Sequence, residues 1–178
     1  LYLRNIAWGL NQISYGSENE LYVNGHVTGN SPYLTFEWKA GKDGEHHEVK
    51  TQLIGEYNFA NALAAVTIGH FFDVESERID TALKEYTPQN NRSQLKQTAD
   101  NTLIIDAYNA NPTSMQASIS NFHNMEIDNK MLILGDMREL GKDGPEEHQK
   151  IVDFLTECGF KDVMLVGEQF AAARHDFP

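Results

Sequence analysis

One cysteine, Cys158, is all that 178 residues contain, so no disulfide can form within the chain and a reducing compartment is expected. Cys158 precedes Gly159 at an expected helix end, where a small buried residue is favoured over a reactive thiol. No apolar run approaches the ~20 residues of a membrane span, and the opening residues do not read as a signal peptide. Positive charge is scarce: 14 Lys and Arg against 26 Asp and Glu leave a formal net charge of −12. That excludes nucleic acid as the partner, because a phosphate backbone needs a basic face. Phosphate-loop chemistry is also missing. Gly41-Lys42-Asp43 and Gly141-Lys142-Asp143 both fail to complete Gly-Lys-Ser/Thr. There is no Gly-x-Gly-x-x-Gly, no Gly-x-Ser-x-Gly and no Cys/His metal spacing. If the protein uses ATP, the main phosphate loop is expected upstream of Leu1. The start at Leu1 without Met, and the stop at Pro178 soon after an expected strand, fit a piece of a longer cytoplasmic protein.

What is present reads as two regions. Residues 1–55 are β-rich: Leu34, Phe36 and Trp38 alternate with Thr35, Glu37 and Lys39, the period of a half-buried strand. Ala40-Gly41-Lys42-Asp43-Gly44 reads as a turn, and Glu48 to Leu53 as the return strand of a hairpin. His46 and His47 are adjacent near that turn and are expected to be solvated loop residues, since strand neighbours face opposite ways and make a poor metal pair. A helix is expected from about Asn58 to Phe71, with Phe59, Ala62, Leu63 and Val66 on one face. Asn58 and Asn61 lie three apart at its start, so both can reach one ligand, although capping alone would account for Asn58. A second helix, about Ser76 to Tyr86, ends before Pro88. The polar stretch Pro88-Gln89-Asn90-Asn91 marks the expected boundary between domains 1–88 and 89–178.

Beyond it, strands and helices alternate. Strands are expected at Leu95–Thr98, Thr102–Ala107, Met131–Leu134 and Val163–Val166, and helices from Pro112 and over Pro145–Glu157. That order implies an α/β domain with a mainly parallel sheet. Three polar clusters lie beside these strands. Asp106-Ala-Tyr-Asn-Ala-Asn-Pro-Thr-Ser-Met115 follows the apolar run Leu103-Ile104-Ile105, expected to be a buried strand, with Pro112 in a helical first turn. Gly135-Asp136-Met137-Arg138-Glu139-Leu140-Gly141 follows Met131 to Leu134. Arg92 enters the domain. Open α/β sheets bind ligands outside the carboxyl ends of their strands, so Asp106 and Asp136 are expected on one rim, with Arg92 able to clamp a phosphate. The bland alternative is that Asp106 caps a helix and Arg92 pairs with it, at a gain of about 0–1 kcal/mol.

These residues resemble the Mur ligase family. Gly55-Glu56-Tyr57-Asn58-Phe59-Ala60-Asn61-Ala62-Leu63-Ala64-Ala65 is similar to its Gly-x-His-Asn-x-x-Asn-x-x-Ala-Ala element, with Tyr57 in place of the histidine. Asn91-Arg92-Ser93 resembles the arginine segment that opens the family's third domain. The Asp106–Met115 and Gly135–Gly141 segments look like signatures of its D-alanyl-D-alanine-adding type, and the resemblance runs from about Thr51 to Gly167. It implies a bacterial ATP-dependent amide ligase of peptidoglycan synthesis, acting on UDP-N-acetylmuramoyl-tripeptide and D-alanyl-D-alanine through an acyl phosphate. Residues 1–88 would be the end of a central ATP-binding domain and 89–178 most of a Rossmann-like third domain, hinged at Pro88. Asn58 and Asn61 would contact adenine, Arg92 the phosphates and Asp106 the ribose. Tyr108, Asn109 and Asn111 would line the rim where nucleotide and incoming amine meet, with Asp136 and Glu139 on the dipeptide side. Mg²⁺ would be bound mainly by residues upstream, a monomer is expected, and the chain alone is expected to be inactive. Two other readings remain: a non-catalytic α/β binding module, and a related ligase of another Mur or folylpolyglutamate synthase type.

Overall fold

A computed structural model describes residues 6, 7, 9–18, 20–89 and 91–177. Asn90, within the expected linker, and both terminal residues lie outside the described residues. The chain forms two compact units, Leu1–Thr87 and Pro88–Pro178.

In the first unit the expected hairpin is the middle of a larger sheet. Strands β1 (Tyr15–Gly16), β2 (Val23–Asn30), β3 (Tyr33–Ala40) and β4 (His47–Ile54) lie in that order, with β1 parallel to β2 and the rest antiparallel. The alternation in β3 does what its period requires: Leu34, Phe36 and Trp38 are buried. They meet Ala62, Leu63 and Val66 of helix α1 (Phe59–Phe71) and Ile79 of helix α2 (Ser76–Glu85). Burying each large apolar side chain contributes about 1.5–3 kcal/mol. Strand β2, Val-Asn-Gly-His-Val-Thr-Gly-Asn, has no clean alternation, and its register shifts between Val27 and Gly29.

His46 is exposed, as expected, but His47 is not a solvated loop residue. It opens β4 opposite Trp38, so both side chains fall on the same face, with the rings stacked at 4.5 Å. Asp80 of α2 completes the group. Its Oδ1 accepts from Trp38 Nε1 at 2.8 Å, and its Oδ2 lies 2.9 Å from His47 Nδ1. A carboxylate can be buried here because two ring nitrogens satisfy it.

The second unit is a mixed α/β arrangement with flanking helices: α3 (Pro112–Asn124), α4 (Gly144–Glu157) and the short α5 (Glu168–Ala172). Strands β7 (Met131–Gly135) and β8 (Asp162–Val166) run parallel, with α4 as the crossover. Strands β5 (Gln94–Gln97) and β6 (Thr102–Ile105) run antiparallel, because the short connection at residues 98–101 cannot carry a crossover. The strands thus form two pairs, and Asp106 and Asp136 follow strands of different pairs. The Leu103–Ile105 run is not a buried strand. Leu103 is exposed, and Ile104 and Ile105 are only half-buried. The core lies instead among Met115 and Ile119 of α3, Ile151, Val152 and Leu155 of α4, Val163, Phe170 and Met137. Among the described residues, no helix is long and apolar enough to cross a membrane.

Candidate functional site

The antiparallel pairing of β5 with β6 decides which polar residues meet. Gln94 pairs with Ile105, so the residues just before β5 lie beside those just after β6. The Ala107 amide donates to the Asn91 carbonyl at 2.7 Å, and the Ser93 amide donates to Asp106 Oδ1 at 3.3 Å. Ser118 Oγ of α3 donates to Asp106 Oδ2, also at 3.3 Å. The Arg92 guanidinium lies 3.7 Å from the centre of the Tyr108 ring. An exposed contact of this kind contributes about 0.5–1 kcal/mol. Asn91 and Ser93 flank Arg92 with φ of 57° and 45°. Left-handed backbone at two non-glycine residues costs energy and is a recurrent feature of functional segments. Arg92, Asp106 and Tyr108 therefore form one cluster, held by backbone on one side and α3 on the other.

The two carboxamides of the same segment are engaged locally. Asn109 Oδ1 accepts from the Ala110 amide at 2.9 Å. Asn111 is the N-cap of α3: its Oδ1 accepts from the Ser114 amide at 2.9 Å, and Ser114 Oγ accepts from the Asn111 amide at 3.3 Å. This reciprocal box, with Pro112 in the first turn, is worth about 1 kcal/mol and fixes where the helix begins. The cap is therefore Asn111, and Asp106 is not one.

Asn58 and Asn61 belong to the first unit. Gly55 opens their turn at φ 94°, where a Cβ would overlap the Tyr57 ring. Asn58 sits at the N-cap of α1 without a side-chain cap bond; its Nδ2 donates to the Ile54 carbonyl at 2.8 Å. Asn61 is exposed, and its Nδ2 lies 3.5 Å from Asn58 Oδ1, so the two side chains do share one side of the helix start.

The second cluster surrounds a cavity of about 570 Å³ at the carboxyl ends of β7 and β8. It is lined by the Gly135–Gly141 loop, including Arg138 and Glu139, together with Val166, Gly167 and Gln169. The size falls within the range of small-ligand clefts. Asp136 lines it, but its carboxylate is committed: Oδ2 accepts from the Gln169 amide and Oδ1 from the Phe170 amide, both at 3.0 Å. Gly167, at φ 125°, makes this possible, since a Cβ there would overlap the carboxylate. Glu139 is exposed in the left-handed region, at φ 67°. The sequence gives no signal for α5, or for Gly167 and Gln169 beside it, because a five-residue helix has too few positions to show a period.

Among the described residues, no group of three or more His, Cys, Asp or Glu could hold a metal ion. Cys158 is half-buried at the end of α4, and burial together with the neighbouring Glu157 charge pushes its thiol up from the ordinary cysteine value.

Residues 91–176 match the Mur ligase, glutamate ligase domain. Several curated relatives carry the name UDP-N-acetylmuramoyl-tripeptide–D-alanyl-D-alanine ligase. That of Treponema pallidum is 30% identical over 125 residues, spanning 70% of this chain and 27% of the relative. That of Bacillus subtilis is 33% identical over 139 residues, spanning 73% of this chain and 30% of the relative. A solved structure of MurF from Acinetobacter baumannii superposes with a TM-score of 0.84 at 27% identity, covering 96% of this chain and 37% of that one. The chain thus spans about a third or less of the length of the curated relatives named here. Its second unit has the Rossmann-like fold of the Mur ligase carboxyl-terminal domain and is a domain of the Mur ligase family.

Proposed function

We propose that this chain is part of an ATP-dependent amide ligase that joins D-alanyl-D-alanine to UDP-N-acetylmuramoyl-tripeptide in peptidoglycan precursor synthesis. Residues 1–88 are assigned to the end of its ATP-binding domain and 89–178 to its carboxyl-terminal domain. The observation that carries this reading is the cavity at the ends of β7 and β8, lined by the Gly135–Gly141 signature in a unit that matches the family.

The donor chemistry of the first cluster suits a nucleotide. Arg92 offers a forked guanidinium to phosphate oxygens, Asp106 a carboxylate to ribose hydroxyls, and Tyr108 and Asn109 an exposed edge beside them. Asn111 fixes the start of α3 and through it the position of that edge. For Asn58 and Asn61 the proposed role is adenine contact, with Asn61 the more accessible amide. In the second cluster, Glu139 is the carboxylate proposed to face the dipeptide amine, while Asp136 acts by shaping the loop through α5. Mg²⁺ supplies charge neutralisation in such reactions, and no described residues are assigned to it.

The test uses the full-length protein with ATP, the UDP-linked tripeptide and D-alanyl-D-alanine. Phosphate release and a product lengthened by the dipeptide are expected, and Asp106→Ala should raise the KM for ATP at least about tenfold, the cost of a charged hydrogen bond. An unchanged KM would remove Asp106 from the nucleotide. Absence of product would favour a binding module.

A further inference from the structure

Behind the cavity loop lies a side chain with no place among the proposed substrate contacts. His148, in α4, is wholly buried. Its Nδ1 is 2.7 Å from the Gly144 carbonyl oxygen, and its Nε2 is 2.9 Å from the Met137 amide nitrogen. A carbonyl only accepts and a backbone amide only donates, so Nδ1 carries the proton and Nε2 offers its lone pair. The ring that satisfies both is the neutral Nδ1–H tautomer. The 3.6 Å approach of Asp136 Oδ1 to Nε2 is then not an ion pair. Phe170 packs edge-on against the imidazole at 4.6 Å and fixes its plane.

Two consecutive residues at the start of the loop are thus held from two helices. Asp136 is held through its carboxylate by the first turn of α5, and Met137 through its amide by His148 of α4. From that doubly held point the chain runs into Arg138 and into Glu139, whose φ of 67° is left-handed. A non-glycine residue keeps such a conformation only where its surroundings over-determine it. A buried imidazole that accepts one specific loop amide is that kind of constraint.

We infer that His148 is a positioning residue of the cavity: it fixes the Met137 backbone and so presents Arg138 and Glu139 to whatever occupies the space. The loop geometry stands by itself; only the identity of the occupant rests on the proposed function. Two substitutions separate the roles of the two nitrogens. In His148→Gln the amide oxygen can reach the Nε2 position and still accept from Met137. In His148→Asn the amide nitrogen can still donate to Gly144, but nothing accepts from Met137.

The experiment is amide hydrogen exchange followed by NMR on the 178-residue chain, with a titration of D-alanyl-D-alanine as probe. His148→Asn should lose about tenfold or more of the protection at Met137, with the Ile151 and Val152 amides of α4 unchanged, and His148→Gln should retain most of it. The titration should weaken in the same order. Equal protection at Met137 in both variants, or loss in both together with the α4 amides, would overturn the inference and leave His148 a packing residue. Because a variant can fail to fold, the unaltered chain supplies a second reading. Its His148 nitrogen shifts should report a protonated Nδ1 and an unprotonated Nε2, and the opposite tautomer would equally overturn it. If the loop amides respond as expected while the dipeptide titration does not, the positioning role holds and the assignment of the cavity to the dipeptide fails.

Discussion

Strands β3 and β7 are both written with apolar residues, and the structure treats them differently. In β3 the buried residues Leu34, Phe36 and Trp38 alternate with Thr35, Glu37 and Lys39, so the outer face is polar and needs no cover. In β7 the half-buried Leu132 and Leu134 alternate with Met131 and Ile133, and Ile133 is 65% exposed. Its neighbour β8 repeats the pattern, with Met164 and Val166 on the open side. Unbroken apolar runs are the signature of parallel strands covered on both faces, while antiparallel strands with one wet face alternate. The difference teaches that the same hydrophobic content has unequal energetic weight: in β3 it makes the core, and in β7 half of it contributes little within this chain.

The sharpest break of that comparison is Phe36→Ala. Removing a fully buried aromatic should cost the first unit about 3–5 kcal/mol, read as a lower urea midpoint by tryptophan fluorescence, since both tryptophans, at positions 8 and 38, precede Pro88. Asp80→Ala comes next, at about 1–3 kcal/mol, because it strands the buried Trp38 Nε1–H and the His47 ring. Gly167→Ala should cost the second unit about 1–3 kcal/mol through the left-handed backbone and the clash with Asp136. It should show first as lost exchange protection at Gln169 and Phe170. Ile133→Thr should change stability by less than about 0.5 kcal/mol, as for an exposed position; a loss approaching that of Phe36→Ala would erase the contrast between the strands. The smallest effect is chemical. With its thiol pushed up by burial and Glu157, Cys158 holds less thiolate at neutral pH, so it should alkylate more slowly than free cysteine.

The elements with a helical period or an unbroken apolar run were legible in the sequence. Helix α1 is expected over Asn58–Phe71 and observed over Phe59–Phe71, and β7 is expected over Met131–Leu134 and observed over Met131–Gly135. Strand β2 and helix α5 were not legible, the one because asparagine and glycine break its alternation, the other because it is too short. The burial of His47 is not legible because its environment is set by a pairing with Trp38 and by a distant Asp80, and neither is local. In the site, chemical type could be read and connectivity could not. The Arg92 guanidinium lies over the Tyr108 ring, and the carboxylate of Asp136 is committed to two amides of α5. A hydrogen bond between residues 33 or more positions apart leaves no trace in spacing. His148, in the second turn of an amphipathic helix, offers no signal beyond its position.

The proposal is that the two loops of the second unit serve a ligase whose incoming amine is D-alanyl-D-alanine. It is tested most directly by offering the full-length protein ATP, the UDP-linked tripeptide and an equimolar mixture of D-alanyl-D-alanine with single amino acids, and identifying the product by mass. The expected product is the tripeptide extended by the dipeptide and by nothing else. Extension by a single amino acid, or none at all while ATP is consumed, would contradict it.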